Sequence, residues 1–316
     1  MTVAVTGATG WIGREVCRWL GRQGIEVRRL DRLQSIDGVV PLDLIAEESD
    51  PSWGVALRGC LTVVHCAGHV HRPLETAEER RLFHAINVEG TRKLLATCSL
   101  ERVRRVVFVS TSALYDWSDV KPKTETGSLK PMTAYAVSKL EAENLVRNSR
   151  LNWRVARLGT VFGVGDRANF QRLAQALKRR RFVIPGRGDA RKSVLPVGRA
   201  GELLGRLATD MNQGGITVNL AAPSAPSLVE ICQAFSRHCG FATAIRAPLS
   251  LMRCAGLAGS LLQTAGVKMP LTTDTLRKLT TSTVLDVTKM LELFPEMEWL
   301  DFESMLAGAA NYYADA

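Results

Sequence analysis

The run Thr6-Gly7-Ala8-Thr9-Gly10-Trp11-Ile12-Gly13 constrains this chain more than any other stretch, because it joins a β-branched run, Val3-Ala-Val-Thr6, to a helical pattern from Ile12 to Gln23. Glycines at this spacing permit a sharp turn and leave backbone N–H groups open at the head of a helix, where a pyrophosphate is stabilised. A glycine triplet alone is a weak signal; the strand before it and the helix after it give it meaning. The unit closes with Glu26-Val-Arg-Arg-Leu30 and Asp31. A carboxylate at the end of the second strand accepts hydrogen bonds from an adenosine ribose and repels a 2′-phosphate, which favours NAD over NADP. Arg28, Arg29 and Arg32 at the same edge pull toward NADP. The alternative for Asp31 is a plain turn cap, and Asp43-Leu44 is likewise open between an adenine contact and a surface turn.

Strand and helix patterns then alternate. Leu61-Thr-Val-Val-His65, Val106-Val-Phe-Val-Ser110 and Arg154-Val-Ala-Arg-Leu158 read as strands, and Glu78 to Ser99 and Thr133 to Arg150 as helices. Strict alternation implies right-handed βαβ units, so the expected fold class is α/β, a doubly wound parallel (Rossmann) sheet. After about Gly163 the rhythm changes: a basic helix from Asn169 to Arg181, a turn Pro185-Gly-Arg-Gly-Asp189, one further strand Ile216-Thr-Val-Asn-Leu220, and a helix to Gly240 whose head, Ser227-Leu-Val-Glu230, has capping-box spacing. The expected division is a cofactor-binding domain over residues 1–163, with a segment at about 193–222 returning to it, and a smaller α/β substrate domain over most of 164–316.

With 46% hydrophobic residues the chain can bury enough surface to offset the entropy of ordering, which excludes global disorder. A formal charge of +10 implies anionic partners: nucleic acid, a membrane surface, or phosphorylated ligands. The 7 cysteines are scattered without a C-x-x-C pair, the pattern of reduced thiols in a cytoplasm. No signal peptide precedes Met1-Thr-Val-Ala-Val-Thr6. The one long weakly polar run, Leu249 to Val267, is interrupted by Arg253, Gln263, Gly256, Gly259 and Gly266, so stable membrane insertion is not expected.

Tyr135 and Lys139 form a Tyr-x-x-x-Lys pair inside a helical pattern, which puts both on one face. An ammonium beside a phenol favours phenolate, and a phenol so tuned moves protons to and from a hydroxyl or ketone oxygen. Ser110-Thr111-Ser112 ends a strand, so its hydroxyls emerge at the carboxyl edge of the sheet, where ligands bind in such folds. His65, His69 and His71 are read as structural or substrate-lining, with no metal expected, because no carboxylate or cysteine is spaced to complete a shell.

Together the Gly7, Gly10, Gly13 turn, Asp31, His65-Cys66-Ala67-Gly68, Asn87-Val-Glu-Gly-Thr91, Ser110-Thr111-Ser112, Tyr135/Lys139 and Arg157-Leu-Gly-Thr-Val-Phe-Gly163 resemble the extended short-chain dehydrogenases/reductases. Within them, the chain is similar to the NAD-dependent epimerase/dehydratase branch that acts on nucleotide sugars. The resemblance implies that Thr111 hydrogen-bonds the reacting oxygen, Tyr135 moves the proton, and Lys139 tunes Tyr135 and holds the nicotinamide ribose. It implies cofactor contacts from Gly7, Thr9, Gly10, Trp11, Ile12, Gly13, Asp31, Arg32, Asp43, Leu44, Cys66, Ala67, Gly68, Asn87 and Ser110. On the substrate side it implies His71, Thr111, Ser112 and Asn169, with Arg191, Lys192 or Arg187 on the substrate diphosphate. The alternative for the basic residues is a solvated or partner-facing surface.

Two departures matter. The family's 4,6-dehydratases place an Asp-Glu pair after the catalytic threonine, whereas this chain has Ser112-Ala113, which disfavours dehydration. Where the family carries an aromatic, a histidine and an aspartate, this chain reads Ser193-Val-Leu-Pro-Val-Gly-Arg199. The expected activity is therefore C4 epimerisation of a UDP-type sugar through bound NAD, with NAD(P)H-dependent reduction of a 4-keto-6-deoxy sugar as the alternative. A catalytically silent nucleotide sensor or RNA-binding protein is the alternative from another class, and nucleic acid is not the expected partner. Leu82, Phe83, Ile86, Leu94 and Leu95 fall at helical spacing and serve either a homodimer's helix bundle or the core.

Overall fold

In the computed structural model the described residues are 1–32, 37–70, 76–210, 214–264, 266–267 and 269–315. Seven parallel strands form the main sheet: β1 (Thr2–Thr6), β2 (Glu26–Asp31), β3 (Val39–Pro41), β4 (Thr62–His65), β5 (Arg105–Thr111), β6 (Asn152–Leu158) and the late strand Ile216–Leu220. Three short strands lie between, β7 (Thr160–Phe162), β8 (Val183–Pro185) and β9 (Val194–Pro196), so the late strand is β10, and β11 (Ile245–Ala247) follows. The spatial order is β3-β2-β1-β4-β5-β6-β10. The order reverses between β1 and β4, so a crevice opens there at the carboxyl ends, the ligand-binding place of doubly wound sheets. β4 is buried along its whole length, as a strand covered on both faces must be.

The helices are α1 (Trp11–Arg22), α2 (Ser52–Leu57), α3 (Ala77–Phe83), α4 (Gly90–Leu100), α5 (Ala134–Arg147), α6 (Asn169–Lys178), α7 (Val197–Thr209), α8 (Leu228–Cys239), α9 (Leu249–Thr264) and α10 (Thr273–Thr280), followed by α11 (Thr288–Leu293), α12 (Phe302–Ala307) and α13 (Ala310–Asp315). α1 and α7 cross closely because Gly201 and Gly205 present no side chain to Glu15 and Trp19. One apolar core, including Val3, Val5, Val16, Leu20, Leu203 and Val218, fills the space between sheet and helices. It also takes Leu285, Met290, Phe294 and Met297 from near the end of the chain. A second core gathers Phe162, Phe170, Phe235, Phe302 and Tyr313, with Phe162 stacked on Phe170 at 4.9 Å.

The sequence pattern from Glu78 to Ser99 predicts one helix, but the structure has α3, a π-helical turn (His84–Glu89) and α4. The wider turn admits Asn87 to the interior, where it is 2% exposed. The apolar stripe on this stretch turns inward: Phe83, Leu94 and Leu95 are buried within the chain. Ser227 caps α8 as its spacing predicts, in a reciprocal capping box with Glu230, and Gly240 ends the helix in the left-handed conformation.

Candidate active site

The glycine turn is shaped by contacts that exclude side chains. Gly7 has φ +64°, and a Cβ there would stand 2.8 Å from the Ala67 nitrogen; a Cβ on Gly13 would stand 2.1 Å from the Gly7 oxygen. Gly10 opens α1 without a side-chain cap, and the first turn of α1 carries no acid. Its N-terminus is therefore neutralised by no carboxylate of its own, which suits an anion. Trp11 donates its indole N–H to the Val164 carbonyl at 2.7 Å, tying the turn to the segment that leads into α6. Ile12 packs on the main core.

At the end of β2, Asp31 Oδ2 accepts from the Thr9 N–H (3.0 Å) and the Thr9 hydroxyl (2.7 Å), and Oδ1 accepts from the Arg32 N–H (2.8 Å). A carboxylate offers about four acceptor positions, so an incoming diol shares this one with Thr9. Arg28 is directed elsewhere, donating to the Arg58 and Ala56 carbonyls at the end of α2, and Arg29 lies close enough to Cys17 to act on its thiol. Among the three arginines that weigh toward NADP, this leaves the exposed Arg32 at the strand end. Asp43 is exposed and caps its own turn by accepting from the Ile45 N–H, while Leu44 is buried against Gly90.

Beyond β4 the chain is braced from below. Ala67 N–H donates to the Thr6 hydroxyl, and Cys66 sits beside it with its thiol pushed far up by burial. His65 is 1% exposed, with Nδ1 2.7 Å from the Thr6 hydroxyl and Nε2 3.0 Å from that of Thr91. The Thr91 proton is given to the Asn87 carbonyl, so His65 Nε2 is the protonated nitrogen and Nδ1 accepts from Thr6. Burial holds the ring neutral, its pKa lowered to about 3. His69 pairs with Glu79 at 2.7 Å, and His71 lies outside the described residues. Among the described residues no group of His, Cys, Asp and Glu forms a metal cluster. Asn87 accepts from the His69 N–H and donates to the His69 carbonyl and to the Ser138 hydroxyl, so it fixes the loop after Gly68 to α5.

α5 begins at a Thr133 cap and carries Tyr135, Lys139, Glu143 and Arg147 at successive i,i+4 positions along one side. The hydroxyl of Thr111 lies on the Tyr135 phenol's side of the strand end, close enough to favour its ionised form. Thr111 accepts from the Ala113 N–H at 3.1 Å, which leaves its own proton for Tyr135. Burial pushes the Tyr135 phenol up, and the Thr111 hydroxyl works against that. Lys139 is 6% exposed, with its Nζ 4.1 Å above the Phe108 ring. Burial lowers its pKa to about 8, and the Glu143 carboxylate opposes the shift. Ser112 follows Thr111 in a short 3-10 turn and is partly exposed.

Glu143 continues the same i,i+4 stripe, with no motif in the sequence to single it out. It is fully buried. Arg157 grips it through Nε (3.0 Å) and Nη2 (2.8 Å), Arg147 through Nη2 (2.7 Å), and the Ser110 hydroxyl donates to it at 2.5 Å. Ser110, expected at the cofactor, thus spends its hydroxyl inside the protein. Four donors on one carboxylate make a satisfied buried charge next to Lys139.

The residues expected on the substrate side separate. The Thr160 N–H donates to the Ser193 carbonyl, and Thr160 follows β6, whose Leu158 lies in register with Thr111. Two residues before Ser193, Arg191 Nη1 donates to the Ala225 carbonyl and stands 3.5 Å from Glu230. Lys192 Nζ instead donates to the Lys278 and Thr281 carbonyls at the end of α10, and burial lowers its pKa to about 8. Its charge holds a helix end. Arg187 is 88% exposed and pairs with Asp189. Asn169 starts α6 and is exposed.

A doubly wound sheet, a glycine turn at its switch point and a Tyr-x-x-x-Lys helix beside a strand-end threonine define a protein of the dinucleotide-binding class. The NAD dependent epimerase/dehydratase family matches residues 3–221, more than half of the chain, and the chain belongs to that family. It is 30% identical over 195 residues to 4-hydroxy-2-methyl-3-oxo-4-farnesyl-3,4-dihydroquinoline-1-oxide ketoreductase of Stigmatella aurantiaca, covering 58% of this chain and 57% of that protein. It is 26% identical over 208 residues to N-acetyl-alpha-D-glucosaminyl-diphospho-ditrans,octacis-undecaprenol 4-epimerase of Escherichia coli O157:H7, covering 64% and 61%. The chain thus spans less than two thirds of the length of these relatives. The solved UDP-glucuronic acid 4-epimerase of Bacillus cereus, in complex with UDP-glucuronic acid and NAD, superposes over 100% of this chain and 99% of its own with a TM-score of 0.78 at 17% identity, a likeness of fold.

Proposed function

We propose that this enzyme interconverts epimers of a nucleotide sugar, of the UDP type, at C4 through bound NAD. The observation that carries the reading is the meeting of α5 with the carboxyl end of β5: Lys139, one helical turn from Tyr135, stands 4.1 Å above the Phe108 ring of the strand that ends at Thr111. The turn Ser112–Leu114 after Thr111 supplies no carboxylate to protonate a leaving hydroxyl, which speaks against dehydration.

The residues present fit the dinucleotide. Gly7, Thr9, Gly10, Trp11, Ile12 and Gly13 would hold the pyrophosphate at the head of α1, in a turn too tight to admit a side chain at Gly7, Gly10 or Gly13, and Asp31 the adenosine ribose. Lys139 would hold the nicotinamide ribose, beside Gly68. NAD, when bound, supplies a hydride acceptor and a positive charge that favours the Tyr135 phenolate. Tyr135 then takes the proton of the 4-hydroxyl while Thr111 keeps a hydrogen bond on the same oxygen, and in the return step Tyr135 gives the proton back. Lys139, charged below about pH 8, stabilises the phenolate. Arg191 would meet the substrate diphosphate by exchanging Glu230 for it; Lys192 has less claim, its ammonium being committed to the end of α10. Residues 1–163 with the returning segment 193–222 would form the cofactor unit, and most of the rest the substrate side. A homodimer through α4 and α5 would have to use side chains other than the buried Leu94 and Leu95.

Purified protein incubated with UDP-glucose, UDP-galactose, UDP-glucuronic acid or UDP-N-acetylglucosamine without added cofactor tests this, with epimers separated by chromatography and bound NAD released by acid. Interconversion of one pair with NAD retained supports the proposal. Consumption of added NADPH or NADH on a 4-keto sugar, with no epimerisation, would establish the reductase instead.

A further inference from the structure

Two stretches that the active site leaves unused meet in the fold. The basic run ending at Arg181 leads into β8, and β8 pairs in parallel with β11, Arg246 opposite Ile184. α9 starts directly after β11, and Gly186, just beyond β8, lies against Leu249. Arg179, Arg180, Arg181, Arg246 and Arg253 are all exposed. None of the five forms an ion pair with a described residue. The sequence between Glu230 and Asp274 contains no Asp or Glu at all.

α9 is polarised the wrong way round for a helix of a soluble domain. Its inner side holds one large residue, Met252, and otherwise small ones: a Cβ on Gly259 would stand 2.0 Å from the Leu271 oxygen, and Ser260 accepts from the Thr273 N–H. Its outer side carries Leu251 (62% exposed), Leu257 (58%) and Leu262 (44%), together with Cys254, Ala255 and Ala258. At 100° per residue these outward positions cover roughly half of the helix circumference. Beside them an open groove of about 390 Å³ has Leu249, Leu257 and Leu276 for walls and Arg253 and Arg277 among its lining.

We propose that α9, with the arginines around the β8–β11 ribbon, docks this protein onto an anionic membrane surface. The leucines enter the boundary between headgroups and acyl chains, and the arginines meet lipid phosphates. No helix among the described residues is long and apolar enough to cross a membrane, so α9 lies in the interface plane. The excess of positive charge selects this occupant: Asp274 beside the groove is already paired with Arg277 and Lys278, while Arg246 and Arg253 have no acid against them. In a two-fold contact between copies the same patch faces itself, which brings Arg246 and Arg253 toward their own counterparts, whereas an anionic surface neutralises them. The docking face is also linked to the active-site edge. Lys192 is fastened to the end of α10, and the Arg191 N–H donates to the Ser282 hydroxyl at 3.1 Å.

The test is flotation of the full chain with vesicles of phosphatidylcholine alone or with about 30% phosphatidylglycerol, at low and at about 0.15 M salt. Binding to the anionic vesicles, little to the neutral ones, and weakening with salt are expected. Replacing Arg179, Arg180 and Arg181 together by Ala lowers partitioning on the order of a hundredfold, at about fivefold per arginine, and Leu257→Glu lowers it at least tenfold. Sugar turnover in solution and the thermal midpoint stay unchanged in both variants. Absence of binding to either vesicle, or equal binding to both, overturns the proposal. So does light scattering that shows Leu257→Glu splitting a wild-type dimer, since the leucine face then belongs to a second copy. Vesicle binding requires no sugar, so its failure leaves the epimerase reading standing.

Discussion

α5 and α9 break the same rule in opposite directions. α5 turns charge inward: Lys139 is 6% exposed and Glu143 fully buried. α9 turns one methionine, Met252, inward with glycine and serine, and its leucines outward. Buried charge is costly unless each group has partners, and on α5 the partners are present, with Arg157, Arg147 and Ser110 all on Glu143. Exposed leucine is unfavourable in water unless something else covers it, and the predominantly basic surroundings of α9 suggest what does. Inverted polarity of either kind marks a place where the chain meets what is not itself, a reacting ligand in one case and another phase in the other.

The first way to break the comparison is at Tyr135. Tyr135→Phe removes the proton carrier while keeping the ring beside Phe83, so kcat should fall by about 10²–10⁴ or more with the thermal midpoint retained. Retained turnover would show that the proton moves elsewhere. Glu143→Gln comes next. It leaves Arg157 and Arg147 facing a neutral amide and should cost about 3–5 kcal/mol of stability, read by urea unfolding.

The pH profile sharpens the same side. Lys139 loses its proton at about pH 8, and the charged form supports the phenolate, so kcat should fall as pH rises through that value. Glu143 acts to keep the Lys139 proton on, so in folded Glu143→Gln enzyme the alkaline limb should move to lower pH; a limb that stays put would deny the coupling. On the other side, Leu257→Glu should change stability by less than about 0.5 kcal/mol, the range for exposed sites. A larger loss would mean that the leucine face is part of the fold's own packing.

Much of this contrast could be read in the residues. The glycine turn, Asp31, the Tyr135/Lys139 spacing and β10 announce themselves because several local signals agree at each. The three-residue strands β3, β7, β8, β9 and β11 do not, since three residues span barely more than one alternation and their pairing is set by distant chain. The π turn at His84–Glu89 is invisible because the helical pattern continues on both sides of it. Glu143 was in plain sight at the next i,i+4 position, but an acid on a helix reads as solvated until Arg157 arrives from another strand. Lys192 reads as a phosphate ligand beside Arg191; only the fold shows α10 ending on it.

The most direct test of the central claim uses a UDP-sugar deuterated at C4. If Tyr135 handles only the hydroxyl proton and the C4 hydrogen returns to the same sugar, the epimer formed without added cofactor keeps its deuterium at C4 in ordinary water, and Tyr135→Phe forms none. Loss of the C4 deuterium to solvent, or an epimer formed at any carbon other than C4, would contradict the account.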